Sequence, residues 1–430
     1  MSEGSRISES FTRPIIMMFI ATIVAGSCDY IYQIIMGRQL GPAGYSELNA
    51  MLSIFYIISV PTQTIAAFVV RHVSKYKAQD NDEAIRWLVR KTLLISFFVG
   101  LIIAVGICAT VPTFTRFASL SSSLPLFILM IGTVIVLMSP AGYGTVQGLQ
   151  KFHLSALCAI SGPVAKLFFG VLLVFAGFST NGAFGAAIIG VFFTFVVGIV
   201  FIRNFLRQKA RNENKPDLSH AVSYLAKAIV AVVCFSILIN IDVFMARRYL
   251  GPYDAGVYTV ASILSKVIWF LPGAVSTVMF PRVSEFYTRN KETAGVLRRA
   301  IFYTLCITGL VALAYVVIPD RIIVVFYGDT YLDAAPALSV LGIAMTLFGL
   351  SSLFMNYSLA IESRAYIAIF CFFTALEIIL IMTFHTTMIS IAYDLFIASA
   401  GILSLSWLYF EIKTREMRRN KNKFQEPKIR

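Results

Sequence analysis

Charged side chains stand well inside the apolar runs of this chain, among them Asp29, Lys166, Asp242, Lys266, Glu377 and Asp394. An isolated charge at the centre of a helix in hydrocarbon costs about 2.5–3.5 kcal/mol on insertion scales, so each must face a partner or a polar cavity. Counted at 1.5 Å per residue from the expected helix ends, Asp242 lies about 6 Å deep, Asp394 about 9 Å and Glu377 about 12 Å. Asp29 lies about 10 Å deep, and Lys166 and Lys266 about 15 Å. Asp242, Glu377 and Asp394 therefore share one half of the apolar layer. Carboxylates grouped in a low dielectric repel, so one holds a proton or the set binds a cation. The expectation is an ion-coupling site for H⁺ or Na⁺. The alternative is that each pairs with Lys266 or caps a helix end. A lysine at mid-depth can meet an anionic group as a point charge, or pair with Asp242. Lys166 reads as a structural pairing or a groove-facing residue. Asp29 reads as a gate partner for Lys266 or for an arginine at the outer mouth.

Enzyme chemistry is not legible. There is no Gly-Lys-Ser/Thr phosphate loop, and His72, His153, His220 and His385 are scattered at span ends. Cys28, Cys108, Cys158, Cys234, Cys306 and Cys371 lie in apolar stretches with no Cys-x-x-Cys spacing, as small core residues do. No cofactor is expected beyond a coupling ion.

The elements that must position these side chains are membrane helices. The chain has 430 residues, 58% apolar and 13% charged, with a mean hydropathy of +0.79. A soluble domain carries about a quarter charged residues, so soluble multidomain enzymes, disordered chains and coiled coils are excluded. Spans of about 20 apolar residues are expected at 15–36, 45–70, 91–111, 124–146, 154–177 and 183–203. A second set is expected at 221–246, 256–280, 300–318, 335–357, 365–385 and 388–410. The first run is too long for a cleavable signal peptide. Of the 36 Lys and Arg, 29 fall on the side of the two termini and five on the other. That bias puts both termini in the cytoplasm, and makes the net charge of +14 a mark of topology rather than of nucleic-acid binding.

The halves repeat at an offset near 210. Gly37-Arg38-Gln39-Leu40-Gly41-Pro42 returns as Arg247-Arg248-Tyr249-Leu250-Gly251-Pro252, and Val73-Ser74 as Val283-Ser284. Pro61 stands ten residues before Arg71, as Pro272 does before Arg282. Six spans per half make this a parallel repeat. The expected fold is an all-α integral membrane protein of about 12 transmembrane helices, in two six-helix lobes around a central cavity. Its parts are 1–210 and 211–412, with a basic cytoplasmic tail at 413–430. Pro61 and Pro272 are expected to kink spans 2 and 8, and Pro140 and Pro163 to break spans 4 and 5.

The run Asn240-Ile241-Asp242-Val243-Phe244-Met245-Ala246, then Leu250-Gly251-Pro252 and Ala255-Gly256-Val257-Tyr258, resembles the seventh-helix region of polysaccharide-biosynthesis flippases. These are the O-antigen-type lipid-linked oligosaccharide translocases of the multidrug/oligosaccharidyl-lipid/polysaccharide exporter superfamily. Gly37 to Tyr45 and Pro61 to Lys91 resemble the matching first-half region. The resemblance implies two six-helix lobes in a V, a cavity lined by helices 1, 2, 7 and 8, and a polyprenyl-pyrophosphate sugar as cargo. It agrees with a cation site among helices 7, 11 and 12, at Asp242, Glu377 and Asp394. It makes Lys266 the cargo lysine. By symmetry Arg38, Arg247 and Arg248 stand at the outer mouth, and Arg71 and Arg282 at the inner ends of spans 2 and 8. The inner pair either receives an anionic head group or anchors the chain at the cytoplasmic face. Asn49, Tyr56, Gln63, Asn240 and Asn356 read sugars or bond helix to helix. Related peptidoglycan-precursor flippases carry two further spans, which weighs against that role here.

The leading expectation is an ion- or voltage-driven flippase in the inner or plasma membrane. Its partners are the lipid-linked glycan, membrane lipid, and a glycan polymerase or glycosyltransferases. The rivals are a small-molecule or multidrug exporter on the same fold, and a non-transporting scaffold for glycan assembly.

Overall fold

The computed structural model describes residues 3–117, 120–207, 219–288, 293–360 and 365–425, and every long element among them is a helix. In chain order these are α1 (Glu3–Ser59), α2 (Pro61–Lys77), α3 (Asp82–Phe117), α4 (Leu124–Gly148), α5 (Phe152–Leu173), α6 (Ser179–Arg207) and α7 (Ser219–Tyr249). They continue as α8 (Pro252–Thr288), α9 (Ala294–Val317), α10 (Pro319–Tyr327), α11 (Ala335–Ala360), α12 (Ala365–Thr383) and α13 (Met388–Gln425). A π-helical turn, Val174–Phe178, joins α5 to α6, and a 3-10 turn, Asp329–Ala334, precedes α11.

Nine stretches of the described residues are long and apolar enough to cross a membrane. Two of them, Met17–Lys77 with 61 residues and Phe152–Arg203 with 52, are each long enough to cross twice. A 61-residue helix is about 90 Å long against a hydrocarbon core of about 30 Å. Each is bent where a glycine leaves helical geometry: Gly41 at φ 63°, ψ 177° and Gly177 at φ 90°, ψ 4°. With α7 as one more crossing, these stretches supply the twelve spans of the sequence.

The chain divides into two compact units, Met1–Ser236 and Ile237–Arg430. The expected boundary at 210/211 falls within 208–218, outside the described residues. The same pairings recur inside each unit. In the first, α4 packs on α2, α3 and α6, and α6 on α5; in the second, α11 packs on α8, α9 and α13, and α13 on α12. The cores repeat residue by residue. Val69 and Val73 of α2 anchor one cluster with Ile85, Leu88 and Val146. Met279 and Val283 of α8, 210 positions on, anchor the other with Leu297, Leu353 and Phe410.

Small residues set the closest approaches. A Cβ on Gly142 of α4 would lie 3.1 Å from the backbone of Gly198 of α6, and one on Gly148 would lie 2.7 Å from Val73 Cβ. Close backbone approach through such residues is the usual way helices pack in lipid, where no hydrophobic gain drives association.

Two expectations are corrected. Pro140 and Pro163 do not break their spans; they lie inside the continuous helices α4 and α5. At Pro140 the reason is local. Proline cannot donate to the carbonyl four residues back, which is Val136, and the Ser139 hydroxyl donates to that carbonyl instead at 2.8 Å. Pro61 and Pro272 also differ from each other. Pro61 opens the new helix α2, whereas α8 runs on through Pro272, whose ring packs where a Cβ on Gly349 would lie 2.8 Å from its Cγ. Finally, α13 carries on from the last span to Gln425, so the basic tail up to that residue is helical; 426–430 lie outside the described residues.

Candidate functional site

Among the described residues each unit has an intramembrane ion pair, and the two pairs occupy matching places in the repeat. In the second unit the centre is Asp242 on α7, fully buried. Lys266 Nζ on α8 lies 3.6 Å from its Oδ1. Its other oxygen, Oδ2, accepts from Ser262 Oγ at 2.6 Å and from the Tyr258 hydroxyl at 3.1 Å. Tyr258, Ser262 and Lys266 are spaced four apart, so they form one stripe on α8 facing α7.

Glu377 of α12 is fully buried, and Asp394 of α13 nearly so. Neither oxygen of Glu377 has a hydrogen-bond partner, nor does Oδ2 of Asp394. Glu377 interacts through space with Asp242, Asp394 and Lys266. Asp242, Asp394 and Lys266 thus lie within electrostatic reach of Glu377. Among the described residues no three His, Cys, Asp or Glu side chains converge as they do around a metal ion. The arrangement is a shared electrostatic field in which a proton or cation gained by one carboxylate is felt by the others.

In the first unit the centre is a cation. Lys166 Nζ on α5 lies 3.0 Å from Asp29 Oδ1 on α1 and 3.4 Å from the Tyr56 hydroxyl, and 4.4 Å above the Tyr32 ring. Tyr32 and Tyr56 stand 210 positions before Asp242 and Lys266. Lys166 of α5 stands 211 before Glu377 of α12. The repeat therefore keeps the place of the cluster and permutes its charges.

Other sequence candidates divide. Arg38, Arg71, Arg248 and Arg282 are exposed, and Arg247 is buried. The Arg248 guanidinium lies 5.8 Å from the Tyr249 ring, which stacks on His385 at 4.0 Å. Asn49 is buried and accepts from Gln33 Nε2 at 3.2 Å, while Tyr45 donates to Gln33 Oε1 at 3.1 Å. Asn356 donates to Ser352 O at 2.9 Å and Ser276 Oγ at 3.4 Å. Asn49 therefore ties together the two arms of α1 on either side of Gly41, and Asn356 bonds α11 to α8. Gln63 is exposed and Asn240 half-buried. Sequence reasoning missed Tyr258 and Ser262, whose four-residue spacing before Lys266 was the available signal. It also missed Glu47, buried, which accepts from the backbone and hydroxyl of Ser121 at 3.0 and 2.7 Å.

The family model described as polysaccharide biosynthesis protein matches residues 11–287. The chain belongs to that family. A curated relative, an uncharacterized membrane protein of Methanocaldococcus jannaschii, is 21% identical over 379 residues, 82% of this chain and 84% of its own. Among solved structures, an inward-facing multidrug resistance MATE family transporter of the MOP superfamily matches with a TM-score of 0.78 at 13% identity, over 93% of this chain and 99% of that one. The lipid II flippase MurJ in an inward closed conformation matches at 0.72 and 15%, over 93% and 89%. A MOP superfamily transporter from Pyrococcus furiosus matches at 0.67 and 13%, over 94% and 96%. This member of the polysaccharide biosynthesis family therefore has the MOP transporter fold: an all-α, multi-pass membrane protein of two repeated lobes.

Proposed function

We propose that this chain flips a polyprenyl-pyrophosphate-linked sugar or oligosaccharide from the cytoplasmic to the outer leaflet of the plasma membrane, by alternating access. It is not an enzyme in this reading, and both termini lie in the cytoplasm, a placement that the bias of basic residues supports. The observation that carries the proposal is the Asp242–Lys266 pair beside Glu377, whose two carboxylate oxygens have no hydrogen-bond partner. An H⁺ or Na⁺ taken up among Asp242, Glu377 and Asp394 weakens the hold of Asp242 on Lys266. The freed ammonium is then a point charge for the cargo pyrophosphate. Ion and cargo are linked through one carboxylate, and the linkage is reciprocal.

Arg71 and Arg282 receive the anionic head group at the cytoplasmic leaflet, and Arg38 and Arg248 release it at the outer face. Voltage adds to the drive: two negative charges moved outward across 100 mV release about 4.6 kcal/mol. The MurJ match supports flipping of a lipid-linked precursor as work this fold can do. Membrane lipid and a glycan polymerase or glycosyltransferases are the partners; nucleic acid is not. The MATE match favours a second reading, export of a small molecule on the same fold.

The test is flipping of a fluorescent lipid-pyrophosphate-sugar in proteoliposomes, with and without an H⁺ or Na⁺ gradient. Gradient-dependent loss of the probe from the inner leaflet is expected. Transport of cationic dyes with no movement of the lipid probe overturns the proposal in favour of the exporter.

A further inference from the structure

The ion pair of the first unit is unequally exposed. The Lys166 side chain is 9% exposed and that of Asp29 49%. The lysine is fixed in place from behind. A Cβ on Gly190 would lie 2.7 Å from the Gly162 carbonyl and 3.0 Å from Lys166 Cβ, so α5 and α6 are in contact at this point. The Tyr32 ring beneath the ammonium is also held. Its hydroxyl donates to the Ala183 carbonyl at 2.8 Å, and a Cβ on Gly170 would lie 2.6 Å from its Cε2.

Asp29 is the exposed member of the pair, at one edge of a buried stripe of α1. On α1 it shares a face with Tyr32, Gln33 and Met36, three, four and seven residues on, all buried. Of the exposed apolar residues of α1, Ile20 and Ile31 lie on the opposite side of the helix and Ile23 about 120° away. The carboxylate is thus the movable and reachable half of the pair, and the ammonium the fixed half.

We propose that this cluster is an anion site in which Asp29 is a built-in occupant. A phosphate-type oxyanion displaces the carboxylate and is held by Lys166 Nζ, with the Tyr56 hydroxyl as a second donor. The ring of Tyr32 keeps the ammonium charged and oriented while the exchange takes place. The proposal rests on the flippase reading only for the source of the phosphate; the binding itself does not require it. The geometry also explains why Tyr56 stands where the second unit has Lys266. The first unit draws its cation from α5 and uses a phenol at the repeat position.

The experiment measures binding of two probes, dodecyl phosphate and inorganic pyrophosphate, to the full chain in nanodiscs by calorimetry. Asp29→Asn removes the occupant and keeps its shape, so affinity should rise about tenfold, the equivalent of one charge-assisted hydrogen bond. Lys166→Met should abolish that gain, and Lys166→Arg should retain part of it. Preference for dodecyl phosphate identifies a lipid head group as the ligand, and preference for pyrophosphate a free anion; both support the site. The proposal is overturned if Asp29→Asn binds no tighter than the natural chain while its melting temperature stays within a few degrees. It is equally overturned if Lys166→Met binds as well as Asp29→Asn. A chain that binds dodecyl phosphate through Lys166 but moves no lipid-linked sugar keeps this site and loses the flippase reading; the reverse pattern loses only the site.

Discussion

Lys266 Nζ stands 3.6 Å from Asp242 Oδ1, while Ser262 and Tyr258 hold the opposite oxygen of the same carboxylate. The ion pair is therefore the looser of the three contacts. Asp242 is fixed by two neutral donors on α8, and the lysine from the same helix is left able to turn to another anion.

Removing one partner of this pair leaves a buried charge uncompensated, which typically costs about 3–5 kcal/mol. Lys266→Met should lower the melting temperature in detergent accordingly, and Asp242→Asn added to it should recover most of the loss. Equal melting temperatures for the single and double variants would show that the charges do not see each other.

Glu377 and Asp394 behave differently. Neither oxygen of Glu377, nor Oδ2 of Asp394, makes a hydrogen bond that an amide would break, and a neutral side chain needs less solvation in a buried site. Glu377→Gln and Asp394→Asn should therefore melt at or above the natural temperature, yet lose the dependence of lipid flipping on the ion gradient. Unchanged gradient dependence in both variants would remove these carboxylates from the coupling mechanism.

Much of this was legible from the residues. Long apolar runs announce membrane helices, and the Gly41-Pro42 and Gly251-Pro252 pairs announce the repeat. Asp242, Glu377 and Asp394 fall within about 6 Å of one another in depth when counted from the expected span ends. The Lys166–Asp29 pair could not be read this way, since it spans 137 positions and depends on which face of α5 meets α1. Proline was misleading for a related reason. Its missing hydrogen bond is visible in the sequence, but the hydroxyl that substitutes for it is visible only in the fold.

That substitution can be tested at Ser139. Ser139→Ala leaves the Val136 carbonyl buried with neither its helical donor nor its side-chain donor, at a cost of about 1–3 kcal/mol. Pro140→Ala restores a backbone N–H to the same carbonyl. The double variant should thus be more stable than Ser139→Ala alone, by thermal unfolding in detergent; additive losses would contradict the exchange of donors.

Gly41 offers a test free of packing. A Cβ there would meet nothing within 4 Å, so Gly41→Ala acts through the backbone alone. At φ 63°, ψ 177° the residue is in a region that essentially only glycine adopts, and an L residue costs about 1–3 kcal/mol. Gly26→Ala, equally unobstructed but at an ordinary helical position, should by contrast be neutral or slightly stabilising.

The length of α13 has a practical consequence. The helix is continuous for 38 residues, so the backbone that carries Asp394 also carries the basic extension ending at Gln425. About 47 Å of helix separates those two residues. A tilt of about 10° at the buried carboxylate would then swing the far end by roughly 8 Å. A spectroscopic label near Gln425 thus becomes a pointer whose displacement reports what the span around Asp394 does when an ion arrives.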